Sequence, residues 1–339
     1  MVKIAFFDLE KWMEKYIKEN LKGHEIYFSN KKLSNTAIDK IKDCEVLATF
    51  IHSKPSCKIL SQLTKLKMIT TMSTGYDHID IPYCVEKKIT VCNVPTYGEN
   101  TVAEFTFALI LDLSRKISES VDKIKMGHFD LDGLRGFDLK DKTIGIVGLG
   151  NIGKKVAKMA SGFDMNIIAF DPYKDEEFAK KYDIKYKSID HIFKNCDIIT
   201  FHVPYNKYTH HLLNMSRVKT MKKGAYIINT SRGKVLDTNA LIYGLNKKII
   251  AGAALDVLED ETFIPNDEVQ LSSKYFDKNK EELKLLLQEH ILTEQDNVII
   301  TPHNAFNTKE ALIRILDTTI KNIKGYVNKR CINKVNCKL

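Results

Sequence analysis

At 339 residues the chain has room for two domains of ordinary size, each with its own core. Hydrophobic residues make up 44% and charged residues 28%, the profile of a soluble globular protein. The formal charge of +9 comes from lysines spread along the chain, with no basic and aromatic block, so nucleic-acid binding is not expected. A modest positive field instead favours small anionic substrates.

Seven cysteines (Cys44, Cys57, Cys84, Cys92, Cys196, Cys331 and Cys337) show neither C-x-x-C nor zinc-like spacing. Reduced thiols in a cytoplasmic protein without a metal site are the expectation. The N-terminal MVKIAFFDLEKWMEK meets acidic residues too early for a secretory signal. The longest apolar stretch, VAEFTFALILDL, is broken by Glu104 and Asp112 and is too short to span a bilayer.

Strand-like runs come in two series. KIAFFD (3–8), EIYF (25–28), EVLATF (45–50), KMITTM (67–72) and ITVCNV (89–94) alternate with helical patterns, which predicts a parallel α/β unit. ENTVAEFTFALILDLSRKI then predicts a helix started by a capping box of Thr101 and Glu104. It is apolar nearly all round, which points to burial between domains or subunits.

The second series is TIGIVG (143–148), NIIAFD (166–171), DIITFHV (197–203), AYIINT (225–230), AGAALDV (251–257) and NVIITP (297–302). Unbroken apolar character is what strands covered by helices on both faces require, and six of them describe a doubly wound sheet. The polar stretch from Thr262 to Gln295, with a helical piece at KNKEELKLLLQEH, reads as a surface excursion. The last pattern, NTKEALIRILDTTIKNIKGYV, is an amphipathic helix capped by Asn307 or Thr308.

GIVGLGNIGKKVAKMA carries Gly148, Gly150 and Gly153 in a G-x-G-x-x-G that follows a strand and opens a helix, and Asp171 ends the next strand. In that context the first glycine permits the turn, the second admits a pyrophosphate and the third lets helix and strand pack. Asp171 is placed to accept from ribose hydroxyls and to repel a 2′-phosphate, so NAD is expected rather than NADP. The fingerprint sits in mid-chain. A cofactor domain over 101–303 is therefore expected to be inserted into a second domain made of 1–100 and 304–339.

Only six arginines are present: Arg115, Arg135, Arg217, Arg232, Arg314 and Arg330. Arg232 directly follows AYIINT, an acidic run containing Glu261 follows AGAALDV, and His303 follows NVIITP. Parallel sheets bind ligands beyond the carboxyl ends of their strands, so all three reach the ligand side. A guanidinium fork grips a carboxylate by two hydrogen bonds, which a lysine cannot reproduce. A histidine beside an acid supplies and takes protons near neutral pH. Together they suit hydride reduction of a 2-oxo acid.

With STGYDHID, NVPTYGENTVAE, GLGNIG, FDP, HVP, NTSRG, LDVLEDE and TPHNAF, the chain resembles the D-isomer-specific 2-hydroxyacid dehydrogenases over nearly its full length. Within that family it looks most like the D-lactate branch. The resemblance implies a Rossmann NAD-binding domain inserted into a flavodoxin-like substrate domain, a homodimer, and Arg232, Glu261 and His303 as the catalytic trio. LDVLEDE holds two glutamates, and spacing favours Glu261 over Glu259. The same resemblance gives Asp256 to the nicotinamide amide. Asn151, Ile152, Val203, Pro204, Thr209, Thr230 and Ser231 complete the cofactor contacts. The backbone at Thr74 and Gly75 would hold the substrate carboxylate, with Phe50, Tyr97 and Phe306 walling the pocket. Aromatic walls suit a small group such as the methyl of pyruvate. Hydroxypyruvate, glyoxylate and branched 2-oxo acids are the alternative substrates, and an NAD(H)-sensing binding scaffold is the alternative of another class. One departure is Phe105, which stands where many relatives carry histidine and is expected to affect packing.

Overall fold

The computed structural model describes residues 1–259 and 280–335. Two compact units result, one from Met1–Tyr97 with Asn307–Leu339 and the other from Gly98–Phe306.

In the first unit, β1 (Lys3–Phe6), β2 (Glu25–Phe28), β3 (Val46–Thr49), β4 (Met68–Thr71) and β5 (Thr90–Cys92) form a parallel sheet ordered β2-β1-β3-β4-β5. That is the flavodoxin-like order. β3 and β4 are buried throughout, which explains why their sequence runs are apolar without alternation. The helix Lys309–Val327 turns Ile315, Leu316, Ile320 and Ile323 into the core and packs on β4 and on the helix Lys11–Asn20. Thr308 caps it, accepting from Ala311 N. The chain end returns beside β5, where Val335 N donates to Val91 O at 2.9 Å.

In the second unit, β6 (Thr143–Val147), β7 (Asn166–Phe170), β8 (Lys185–Tyr186), β9 (Ile198–Phe201), β10 (Ala225–Asn229), β11 (Ile250–Leu255) and β12 (Val298–Ile300) form a parallel sheet of seven strands. Its order, β12-β11-β10-β9-β6-β7-β8, is the Rossmann arrangement with one strand added beyond the sixth. The sequence predicts six of the seven; β8, two residues long, is the one it does not. Adjacent residues such as Ile227 and Ile228 feed the cores on opposite faces of the sheet.

Two expectations are corrected. The helix Glu99–Arg115 starts two residues before Thr101, with Gly98 at its N-cap and no side-chain cap, so the capping box does not form. Its Ala103, Phe107, Leu109 and Ile110 belong to the core of its own unit, and it packs against the helix Asn151–Gly162 and β10 and β11. The excursion ends in a helix, Lys280–Thr293, whose Leu286 and Leu292 are buried, so this part belongs to the body of the unit. Phe105 is partly buried against the core beneath the dinucleotide turn, a packing position.

Candidate active site

The turn after β6 is shaped for a pyrophosphate. Gly148 has φ +95°, and a Cβ there would lie 2.6 Å from His202 O. A Cβ at Gly153 would lie 2.1 Å from Gly148 O, so the helix approaches the strand as closely as backbone allows. At Gly150 the reverse holds: a Cβ would meet nothing within 4 Å. Gly150 is also the N-cap of Asn151–Gly162, without a side-chain cap, and leaves the first N–H groups of the helix to a ligand. Asn151 is exposed there, whereas Ile152 is partly buried against the core.

Asp171 follows β7 and is fixed by two backbone donors, Leu149 N at 2.7 Å on Oδ2 and Tyr173 N at 2.8 Å on Oδ1. Its carboxylate is thereby pinned to the turn, with lone pairs left for two hydroxyls. An open cradle, an uncapped helix and a fixed acid together fit NAD. When bound, NAD supplies the hydride acceptor or, reduced, the hydride.

Val203 and Pro204 continue β9, Val203 half-buried and Pro204 exposed. Thr209 closes this loop on itself: its Oγ1 donates to Pro204 O at 2.6 Å and accepts from Asn206 N at 2.8 Å. Behind it, burial pushes His202 down to about 3, so its ring is neutral. Its Nε2 pairs with Thr200 Oγ1 at 2.9 Å.

Arg232 leaves β10, and His303 leaves β12, with β11 between them in the sheet. The Arg232 loop is built by Asn229, a fully buried residue. Asn229 Oδ1 accepts from Ser231 N at 3.1 Å and Ser231 Oγ at 2.8 Å, and its Nδ2 donates to Arg232 O at 2.9 Å. Arg232 Nη1 donates to Ser231 O at 2.7 Å, which tethers one edge of the guanidinium. Thr230 Oγ1 pairs with Thr106 Oγ1 at 3.0 Å. Gly233 passes beneath the strand-β11 exit so closely that a Cβ would sit 1.9 Å from Leu258 O.

His303 has φ +52°, a left-handed conformation, and its N donates to Asp256 O and Thr301 O, both at 2.9 Å. The buried Asp256 carboxylate holds the rest of this loop. Oδ1 accepts from Thr301 Oγ1 and from Asn304 N at 2.7 Å, and Oδ2 accepts from Ala305 N at 2.9 Å. Burial raises the Asp256 carboxyl above its usual range, opposed by those hydrogen bonds. Asp256 is thus first a loop anchor; Oδ2, with a single donor, has room for an amide. Phe306 stands edge-on to the His303 ring, centroids 6.4 Å apart. Glu261 lies outside the described residues, whereas Glu259 is engaged elsewhere, against His211 and Thr238.

In the first unit, Phe50 follows β3 and is buried, Thr74 and Gly75 follow β4, and Tyr97 ends the segment after β5. Tyr97 O accepts from Arg314 Nε at 2.6 Å. Sequence reasoning passed over Asn229, Asn93 and His211, and weighed Glu259 only as the lesser candidate for the catalytic acid. For Asn229 a signal existed, an Asx residue closing an apolar run before a turn.

A doubly wound sheet with this turn, this acid and an arginine and a histidine at the carboxyl ends of its strands defines an NAD-dependent oxidoreductase. The profile of the family described as D-isomer specific 2-hydroxyacid dehydrogenase, NAD binding domain, matches residues 107–305. A 2-hydroxyacid dehydrogenase homolog of Zymomonas mobilis is 34% identical over 89% of this chain and 89% of its own. A glyoxylate reductase of Thermofilum pendens is 37% identical over 87% of this chain and 83% of its own. The crystal structure of D-lactate dehydrogenase from Aquifex aeolicus, complexed with NAD and lactic acid, superposes with a TM-score of 0.84 at 35% identity, covering 96% of each chain. The chain belongs to the D-isomer-specific 2-hydroxyacid dehydrogenase family.

Proposed function

We propose that this enzyme reduces pyruvate to D-lactate with NADH, and that it does so with Arg232, His303 and Glu261. The observation that carries the reading is the delivery of Arg232 and His303 to the carboxyl ends of β10 and β12, two strands of one parallel sheet with β11 between them, each on a loop fixed by a buried polar side chain, Asn229 or Asp256. Likeness to the Aquifex aeolicus D-lactate dehydrogenase supports the substrate, and likeness to a glyoxylate reductase names its competitor.

In this mechanism Arg232 grips the substrate carboxylate with its guanidinium fork and polarises the neighbouring carbonyl. His303, protonated, gives its proton to the oxygen as the carbonyl carbon is reduced; in the reverse direction it takes that proton back. Glu261 stabilises the imidazolium. Thr74 and Gly75 N–H groups share the carboxylate, and Phe50, Tyr97 and Phe306 limit the substrate side chain. Gly148, Gly150, Gly153, Asn151, Ile152 and Asp171 hold the cofactor's adenosine and pyrophosphate. Val203, Pro204, Thr209, Thr230, Ser231 and Asp256 border the remainder.

The protein is read as a cytoplasmic homodimer. Six cysteines without disulfides among the described residues suit a reducing compartment. Exposed Ile117, Val121 and Ile124 on the helix Ile117–Lys125, continued by Met126, Phe129 and Leu131, offer an apolar face to a second copy. Light scattering checks the dimer.

The decisive experiment is NADH oxidation against pyruvate, hydroxypyruvate, glyoxylate, phenylpyruvate and branched 2-oxo acids, with the handedness of the product determined. Fast conversion of pyruvate to D-lactate is expected. Preference for another 2-oxo acid moves the substrate and keeps the mechanism. NADH binding without turnover overturns the enzyme reading in favour of a sensing scaffold.

A further inference from the structure

The loop Ser73–Gly75 has its carbonyls tied inward. Ser73 O accepts from Val94 N at 3.0 Å, Thr74 O from Asn93 Nδ2 at 2.8 Å, and Gly75 O from Ser73 Oγ at 2.6 Å. Proton direction along the supporting chain follows. Ser73 spends its only proton on Gly75 O, so Thr71 Oγ1, 2.6 Å away, must donate to Ser73. The His78 Nε2 at 3.2 Å from Thr71 Oγ1 must then be the donor to Thr71.

A trans peptide points its N–H opposite to its C=O. Holding Ser73 O and Thr74 O against the protein therefore turns the N–H groups of Thr74 and Gly75 the other way. Neither N–H donates to any group among the described residues. Two successive outward N–H groups form an anion-binding concavity.

What sets the Thr74 peptide is Asn93, a buried residue just past β5, and Asn93 is itself clamped from the C-terminal segment. Its O accepts from Asn322 Nδ2 at 2.8 Å, and its N donates to Asn333 O at 3.2 Å. Asn322 is fully buried, and its Oδ1 accepts from Asn333 Nδ2 at 2.9 Å. Asn333 has φ +54°, a conformation that asparagine tolerates well.

We infer that Asn93, braced by Asn322 and Asn333, is a positioning residue for substrate-carboxylate recognition, acting through the orientation of the Thr74–Gly75 peptide; this rests on the 2-oxo acid reading above. Without its amide, the peptide is free to rotate and the outward N–H pair loses its fixed direction. The effect must fall on substrates that carry the carboxylate.

Steady-state reduction by wild type, Asn93→Ala and Asn333→Ala, with pyruvate and with its neutral methyl ester, tests this. Asn93→Ala is expected to lower kcat/KM for pyruvate about tenfold or more, mainly through KM, the size of one charge-assisted hydrogen bond. KM for NADH and turnover of methyl pyruvate should stay within about twofold, because neither uses that N–H pair. Asn333→Ala, at a partly exposed position, should shift pyruvate in the same direction by about two- to fivefold. It carries the test alone if Asn93→Ala does not fold. Equal losses for acid and ester, or an unchanged KM for pyruvate in the folded variants, overturn the inference. Failure of the wild type with every 2-oxo acid overturns the functional reading on which it stands, an outcome visible before any variant is made.

Discussion

Glu259 Oε1 lies 2.7 Å from His211 Nε2, and Oε2 of the same carboxylate accepts from Thr238 N at 3.0 Å and Thr238 Oγ1 at 2.6 Å. His211 in turn stacks on His210, ring centroids 3.8 Å apart. This glutamate fastens the exit of β11 to the start of the helix Thr238–Asn246, and both its oxygens are in use. Glu259→Gln keeps only one oxygen, so it either loses the two Thr238 donors or forces His211 Nε2 to accept, and should cost about 1–3 kcal/mol of stability. The pH profile of reduction should not move. Glu261→Gln, on the reading proposed above, should shift the profile toward acid, because the carboxylate that supports the imidazolium in the reaction is gone. Denaturant midpoints and kcat/KM against pH decide, and a profile that moves only with Glu259 would reverse the two assignments.

Arg232→Lys keeps the charge and loses the fork. Its guanidinium donates from Nη1 to Ser231 O at 2.7 Å, an anchor that fixes the fork. A lysine ammonium cannot both keep that anchor and present two parallel bonds. Turnover of 2-oxo acids should fall by about two orders of magnitude, on the scale of lost charge-assisted bonds, with the Kd for NADH within about twofold. Unchanged catalysis would remove Arg232 from the carboxylate.

The two sheets were legible because buried parallel strands must be apolar without a break, and eleven such runs stand out between polar segments. Strand β8 was not, because two residues, one of them a lysine, cannot show a period. The start of the helix Glu99–Arg115 was misplaced because Thr101 and Glu104 have capping chemistry, while burial of Thr101 inside the helix is a tertiary fact. Gly148, Gly150, Gly153 and Asp171 were legible since local spacing alone defines that turn. Asn93 was not: its partner Thr74 is 19 residues away and its braces Asn322 and Asn333 come from the chain end. A buried asparagine reads locally as a turn former, whichever backbone it holds.

Two glycines should separate fold from cofactor binding. At Gly233 the added Cβ would sit 1.9 Å from Leu258 O and 2.5 Å from Glu259 N, both backbone atoms that no side-chain rotation can clear. Gly233→Ala should cost about 3 kcal/mol or more, in the range of severe overpacking. At Gly150 the Cβ meets nothing within 4 Å. Gly150→Ala should leave stability within about 0.5 kcal/mol and weaken NADH about tenfold or more, because the methyl stands where the pyrophosphate approaches. Thermal unfolding and fluorescence titration with NADH measure both. Equal stability losses in the two variants would contradict the open cradle.

His202 ties stability to pH. Burial depresses it to about 3, below the ordinary histidine value of 6.5. The unfolded chain therefore takes up a proton as pH falls below about 6.5 while the folded chain does not. A depressed folded value means that the contribution is complete above 6.5 and drains away as pH falls toward 3. Each unit in that window removes up to about 1.4 kcal/mol, or roughly 2 kcal/mol by pH 5. His202→Gln cannot titrate. Wild type should lose that much more stability than the variant between pH 7.5 and pH 5, so the gap between their urea midpoints should narrow or reverse on acidification. Two curves that stay parallel would mean that His202 exchanges protons with solvent in the folded state.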